Sequence, residues 1–586
     1  MTALTESMRE LRTNARQWEA FTTRGHCAVL APPGSGKTKL LTTRLAFDLA
    51  NRIPRPHGAV CITLTNAAAQ ELRRRAEALG VKDQPHLFIG TVHGFALGRV
   101  IAPFARLVGR SELANISIAS NQQCRETYDE AIREIFEPHE DTWNVRSTID
   151  FNRQRLATDE EWALSGEKIR EVARRYEAKL RAKDLFDFLD IVTIAVELVE
   201  HHKVIRRILT AQYPHLYVDE YQDLAPGLDR LVRSLCFDYA VNSELFAVGD
   251  VDQAVFGFTG TRPELLEELA SRSGVTAVHL ERNYRCGAEI IRVANLMRQG
   301  KPPIVGDRDG GSVSATHCPD GFDDQCQRAV QAVSNAIAGG TPLHEIAVIC
   351  PLNSQCEQIA DVLRAAGIPA FVRGSEYRLT PVTAFIEGCA AWATLGRQRS
   401  NYRLGELLVS WRTFLGTRWS RADDLRLTEL LMDYENFGDQ PAHNLVKKLL
   451  DLGLQRGLQQ VALADDLVQV RQMYDALAVG NLSHLSVRGL AEHPRKVDRV
   501  EVTTMTSSKS LEFDVVLIMS ADEESIPHYL SFNDPVKLAE DRRKFYVSVT
   551  RARDELNIFY SGFVVTRYGR RRYQGPSRFL SEIGLV

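Results

Sequence analysis

Eight consecutive residues, Ala31-Pro32-Pro33-Gly34-Ser35-Gly36-Lys37-Thr38, have the types and spacing of a phosphate-binding loop. They follow an apolar run, CAVLA, and open a helical pattern, the strand-to-helix context such a loop requires. Glycines let successive backbone N–H groups curl around a β-phosphate at a helix N-terminus, Lys37 neutralises β/γ charge, and the Thr38 hydroxyl is placed to ligate Mg²⁺. Ala31 stands where the pattern has Gly. The chemistry is nucleoside triphosphate binding with Mg²⁺. It needs a carboxylate on a neighbouring strand to hold the metal and a base to activate water, and Leu216-Tyr217-Val218-Asp219-Glu220 ends an apolar run in two adjacent acids. Strand C-terminal edges are where α/β proteins bind ligands. Asp219 is expected to hold Mg²⁺ and Glu220 to position the attacking water.

The elements that must position these groups are legible as alternation. CAVLA, AVCITLT and HLFIGT are short apolar runs, each followed by a helical pattern such as AAAQELRRRAEALG or VHGFALGRV, which predicts a parallel α/β sheet. From about Ile101 to Lys183 charged amphipathic helices replace them (RETYDEAIREIFE, GEKIREVARRYEAKLRAK), and strand signals return in HLYVD, ELFAVG and TAVHL. The second half repeats the plan: GSVSATH, EIAVIC and IPAFVRG as strands, a mainly helical stretch from about Pro381 to Pro494, then RVEVTTM, FDVVLIMS and the helix LAEDRRKFYVSVTRA. No short-period repeat, heptad run or low-complexity segment is present.

Composition bounds the rest. A length of 586 residues has room for about four domains or subdomains. With 72 Lys+Arg against 75 Asp+Glu the formal charge is -3, so nucleic-acid contact must come from local basic or aromatic patches. The N-terminal MTALTESMRE has neither the basic nor the apolar region of a secretory signal, and no run of about 18 apolar residues follows. The expectation is a cytoplasmic protein that does not enter the membrane. The 10 cysteines include no C-x-x-C pair, and Cys27, Cys61, Cys236 and Cys350 sit in apolar runs as core thiols. His317, Cys318, Cys326, Cys350 and Cys356 lack the tight spacing of a metal site.

Four longer segments carry a resemblance. VDEYQD (218–223), VGDVDQAVFGFTG (248–260), LERNYRC (280–286) and EDRRKFYVSVTRA (540–552) closely resemble the UvrD/Rep/PcrA group of superfamily 1 DNA helicases, in order and over nearly the whole chain. The resemblance implies two RecA-like parallel-sheet motor domains, each with a mainly helical insertion. These are 1A at 1–100 and 184–280, 1B at 101–183, 2A at 281–380 and 495–586, and a reduced 2B at 381–494. By the same resemblance Gln17 reads the adenine edge and Tyr284 stacks on the ring, favouring ATP. Gln253 links the γ-phosphate to the DNA-facing segment, Arg285 and Arg551 are arginine fingers supplied in cis, and Glu512 contacts the ribose.

Single-strand motors combine aromatic stacking with backbone contacts. Phe256 and Phe258 stand where the family has Tyr and Trp, and either base stacking or core packing suits them. Thr65, Asn66, Thr91 and His93 match segments that meet the strand, His93 fitting a buried structural role equally well. Three departures stand out. Leu64 replaces a usual Phe. In TMTSSKSLEF the usual His and Gly are Thr506 and Ser510, while Lys509 is kept on the nucleic-acid side. The 381–494 insertion is short and shows no Gly-Ile-Gly duplex-contacting loop. Arg567, Arg570, Arg571 and Arg572 form a basic turn or a phosphate contact. The implied function is an ATP-dependent helicase or translocase moving 3′ to 5′ on single-stranded DNA, with tailed duplex DNA as substrate. The alternative is a DNA-activated ATPase sensor acting with a nuclease partner, as in Gabija-type antiphage systems. A nuclease fusion is not expected, because the chain ends at Val586 soon after the last motor motif.

Overall fold

The computed structural model describes residues 2–586 apart from 83–85, 116, 120, 239–241, 258–259, 299, 374–376, 378–379, 400–401, 435–437, 459–463, 481, 484, 493–498 and 566–568, with backbone alone at 66–67, 114–115, 121–122, 397–399 and 464–465. Two six-stranded parallel sheets carry the architecture. The first consists of β1 His26–Leu30, β2 Ala59–Thr63, β3 Leu87–Thr91, β4 His215–Val218, β5 Glu244–Gly249 and β6 Val275–His279. Their spatial order is β3-β2-β4-β5-β1-β6. The second consists of β7 Ser312–His317, β8 Ile346–Cys350, β9 Ala370–Val372, β10 Val500–Thr504, β11 Phe513–Ile518 and β12 Ala552–Tyr560. Here the order is β7-β12-β11-β8-β10-β9.

Central strands are apolar throughout because both faces are covered. Ala28, Val60, Leu216 and Ala247 enter one core cluster of the first sheet, and their chain neighbours Cys27, Cys61, Tyr217 and Phe246 enter the cluster on the opposite face. The second sheet divides in the same way, with Ala347 and Val516 on one face and Val348 and Leu517 on the other. All ten cysteines are buried and free, and Cys318, Cys326, Cys350 and Cys356 share one apolar cluster. Burial pushes the Cys318 and Cys326 thiols up to about 12.

Each sheet is interrupted after its third strand in chain order, and in both that strand lies at a sheet edge. Between β3 and β4 come the helices Asn121–Ile135, Val145–Gln154, Asp159–Leu164 and Glu167–Ala182. Their separate core stacks Tyr128 on Tyr176 with centroids 3.6 Å apart. Buried Arg153 ties this insertion to Asp187 at 2.5 Å and Asp190 at 2.9 Å, the two residues that cap the helix Phe188–His201. Between β9 and β10 a second helical unit, running from Pro381–Arg399 to Val487–Glu492, packs around fully buried Trp411.

Three local features depart from the sequence pattern. The helix after β3 changes to π-type over Ala96–Ile101. Arg282–Gly287, within LERNYRC, is a strand paired in parallel with Val305–Arg308. The basic C-terminal stretch contains an antiparallel ribbon of Phe563–Val565 and Arg571–Tyr573. Arg571 lies over the Phe563 ring and Arg572 pairs with Glu524 at 2.7 Å, while Arg567 is outside the described residues. Among the described residues no helix is long and apolar enough to cross a membrane.

Candidate active site

The loop after β1 is shaped by two left-handed glycines, Gly34 at φ +68° and Gly36 at φ +81°, before the helix Lys37–Asn51. No bulkier residue fits at Gly34, where a Cβ would sit 2.7 Å from Arg285 Cβ and 2.8 Å from Asn283 Nδ2. Ala31 N–H donates to Gly249 O, and Ser35 Oγ donates to Pro32 O at 2.7 Å. The residues from Ala31 to Thr38 thus form one closed turn at the C-terminal edge of the first sheet, presenting Lys37 and Thr38 in the first helical turn. Lys37 is buried, with its ammonium 3.5 Å from Glu220 Oε2.

Asp219 and Glu220 follow β4 at the same edge. Asp219 N–H donates to Ile62 O, extending the ladder to β2, and Glu220 turns out of the strand in a left-handed conformation at φ +53°. For a non-glycine residue that geometry costs about 1–3 kcal/mol and is typical of functional positions. Burial, reinforced by the adjacent Glu220 carboxylate, pushes the Asp219 carboxyl up. Burial acts in the same sense on Glu220, but the Lys37 and Lys509 charges and a hydrogen bond from Gln222 outweigh it and hold Glu220 low. Two neighbouring acids are thereby driven apart, as acid–base sites require.

Residues of the second half reach this edge from across a cleft. Arg551, 1% exposed, donates to Val547 O and Leu511 O and places Nη2 3.3 Å from Gln253 Oε1. Burial, aided by nearby Arg285, lowers its guanidinium to about 10. Gln253 Nε2 in turn donates to Asp250 Oδ2 at 2.6 Å. Arg285 Nε pairs with Glu512 Oε2 at 2.6 Å, so the arginine and the acid expected at phosphate and ribose engage one another here. Tyr284 N–H donates to Gly34 O, and its hydroxyl accepts from Asn14 Nδ2 at 2.7 Å. Gln17 Nε2 donates to Ser35 O at 2.8 Å, so the residue expected at the adenine edge braces the phosphate loop.

The residues expected on the nucleic-acid side are more scattered. Thr65 and Thr91 each spend the hydroxyl on a helix N-cap, accepting from Ala68 N and Gly94 N at 3.1 Å. The Asn66 side chain and all of Phe258 lie outside the described residues. His93 is half-buried, edge-on to Phe188 at 5.9 Å, and burial lowers its pKa. The Phe256 ring packs against the core of the second sheet, with the Lys509 ammonium 5.2 Å from its centroid. Lys509 itself sits in a buried ion pair across the cleft, 2.5 Å from Asp223 Oδ2 and 2.6 Å from Gln253 O, not on an exposed track. At Ser510, where the resemblance has Gly, the backbone adopts φ +68°.

Several working residues carry no signal that single positions in the sequence reveal. Fully buried Gln222 donates to Glu220 Oε2 at 2.6 Å and accepts from Asp250 N, joining the ends of β4 and β5. Asn283 donates to Pro33 O at 2.7 Å while its Oδ1 accepts from Arg285 and Cys286 N–H. Arg543 Nε donates to Ala254 O at 2.7 Å, and Asp252 is held by Arg298 at 2.9 Å and Lys301 at 2.5 Å. The 252–254 segment is therefore clasped by cations from the other half. The quoted motifs contain Gln222, Asn283 and Arg543, but only packing shows what they touch.

A divalent cation is implied by the loop. Its donor set would be the Thr38 hydroxyl and the Asp219 carboxylate, hard oxygens suited to Mg²⁺, completed by substrate phosphate and water. Among the described residues no three His, Cys, Asp or Glu side chains converge on a metal position, so this chain alone builds no closed cage. The Asp219 carboxyl, 4% exposed and pushed up by burial, is a group that a cation would hold ionised.

The family models agree with this geometry. Residues 13–273 match the UvrD/REP helicase N-terminal domain and 459–562 match the UvrD-like helicase C-terminal domain. The ATP-dependent DNA helicase UvrD2 of Mycobacterium tuberculosis (strain ATCC 25618 / H37Rv) is 28% identical, over 96% of this chain and 80% of the relative. DNA helicase II of Escherichia coli (strain K12) is 25% identical over 97% and 87%, and the ATP-dependent DNA helicase PcrA of Bacillus subtilis (strain 168) is 24% identical over 97% and 85%.

Proposed function

We propose that this chain, which belongs to the UvrD-like helicase family, is an ATP-dependent DNA helicase that moves 3′ to 5′ on single-stranded DNA and separates the strands of a tailed duplex. The observation that carries the reading is the Arg551 guanidinium, delivered by the second sheet to Gln253 beside the Lys37 loop of the first. ATP bound between them is held by Lys37 from one side and by Arg285 and Arg551 from the other. Arg285 exchanges Glu512 for the γ-phosphate as the cleft closes.

Glu220, kept as a carboxylate by Lys37, Lys509 and Gln222, accepts the proton of the attacking water. A bound Mg²⁺, held by Thr38 and Asp219, would neutralise charge on the β- and γ-oxygens. Lys37, Arg285 and Arg551 stabilise the charge that develops as the γ-phosphoryl leaves ADP. Closure becomes movement through the 252–256 segment, because the residues that report the γ-phosphate and the Phe256 ring share it.

Strand displacement on duplexes with a 3′ or a 5′ single-stranded tail tests the reading, with Glu220→Gln as control and ATP turnover followed in the same samples. Displacement of the 3′-tailed substrate alone is expected. Displacement of the 5′-tailed substrate would overturn the polarity, and DNA-stimulated turnover without displacement would overturn unwinding by the chain unaided.

A further inference from the structure

On the first half of the molecule, away from the cleft, an open groove of about 440 Å³ is lined by five arginines, Arg155, Arg230, Arg233, Arg262 and Arg272, against two carboxylates, Glu200 and Asp229. Such a concentration is unusual in a chain of net charge -3. Most of these arginines already have anionic neighbours: Arg230 meets Glu200 with both contacts at 2.6 Å, Arg233 meets Asp229 at 2.8 Å, Arg262 meets Glu268 at 2.9 Å and Arg155 meets Glu161 at 3.2 Å. Solvated pairs of this kind contribute only about 0–1 kcal/mol. A phosphate can therefore take over one of them, with a bidentate fit and the release of condensed counterions. Arg272 has no carboxylate in salt-bridge range among the described residues and lies 4.4 Å over the half-buried Phe237 ring. An arginine plane against an aromatic face is the arrangement on which unpaired bases stack.

The position of the groove points to its occupant. A Cβ at Gly260 would come within 2.7 Å of Gln154 Oε1, so the segment that follows Phe256 ends packed on the residue preceding Arg155. Arg262 is two residues beyond Gly260. The groove thus begins where the proposed single-strand track ends and continues past the helix Pro226–Cys236 to Arg272. We infer that this groove binds the phosphate backbone of single-stranded DNA that has left the motor track, lengthening the occluded site. The inference rests on the DNA-motor reading above.

Equilibrium binding of the full chain to oligothymidylates of about 8 and about 24 nucleotides, lengths that bracket a short and an extended site, tests it. The variants are Arg262→Glu/Arg272→Glu and, separately, Arg155→Glu, each with its thermal midpoint measured to confirm folding. The unaltered chain should bind the longer strand more tightly and with a steeper salt dependence. The double variant should lose about 10-fold on the long strand and less than about twofold on the short one, its salt slope falling by about 1.4 for two lost phosphate contacts. Unchanged long-strand affinity, equal loss at both lengths, or loss confined to a duplex of the same length would overturn the groove assignment. If neither oligonucleotide stimulates ATP turnover of the unaltered chain, the motor reading falls instead, and the length-dependent binding still decides the groove.

Discussion

The two sheets follow one plan and divide the chemistry unequally. In both, a helical insertion leaves from the third strand in chain order, an edge strand, where a detour breaks no central ladder. The first sheet concentrates its contribution in contiguous turns at one edge: the 31–38 loop after β1, Asp219 and Glu220 after β4, Asp250 after β5. The second supplies single cations from separate elements, Arg285, Lys509, Arg543 and Arg551, each aimed across the cleft. Phosphate binding needs several backbone N–H groups converging on one point, which only a continuous turn provides. Stabilising charge that appears during transfer needs side chains that arrive when the cleft closes, and these can come from anywhere in the fold.

Removing a group from the first sheet should have the largest effect. Lys37→Ala is expected to abolish measurable ATP turnover and weaken nucleotide binding. Glu220→Gln is expected to retain ATP and DNA binding while turnover falls by about 100-fold or more, in line with loss of a general base. Both are read by steady-state hydrolysis alongside direct nucleotide binding. On the second sheet, Arg551→Ala should lower kcat by about 10³-fold, the lower range for an arginine finger, with a much smaller change in nucleotide affinity. A loss confined to affinity would erase the division of labour drawn between the sheets.

The contact between the sheets should show in stability. Lys509→Met leaves Asp223 buried and unpaired, a loss of about 3 kcal/mol by analogy with other broken buried pairs, measured by denaturant unfolding. Burial, only partly offset by Lys509, raises Asp223 from 3.8 to about 6. A raised folded-state pKa contributes stability that is present below 3.8 and lost as pH rises through about 6. Asp223→Asn should therefore flatten the stability profile in that window, and an unchanged slope would remove Asp223 as its source.

Phe256→Ala should reduce DNA-stimulated turnover by about 10-fold, the value of one stacked base, and reduce turnover without DNA less. Equal reductions would assign the ring to the core of the second sheet, against which it packs. The smallest effect is expected at Ser510, whose φ of +68° suits glycine. Ser510→Gly should raise unfolding stability by about 0.5–1 kcal/mol.

What the sequence by itself determined are the features whose physics is local. Glycines at fixed spacing dictate the phosphate loop, apolar runs of strand length dictate buried parallel strands, and an acid pair closing such a run lands at the ligand edge, because periodicity and turn chemistry act within a few residues. The family resemblance added names for distant residues but not their partners. Only the tertiary structure decided that Gln17 braces the loop, that Arg285 meets Glu512, that Lys509 is buried on Asp223 and that Gln222 ties β4 to β5. It also decided that LERNYRC contains a strand and that five arginines from three segments share one groove. Each of these joins positions whose meeting is fixed by which faces the two sheets bury and how closely they approach, and no spacing along the chain encodes that.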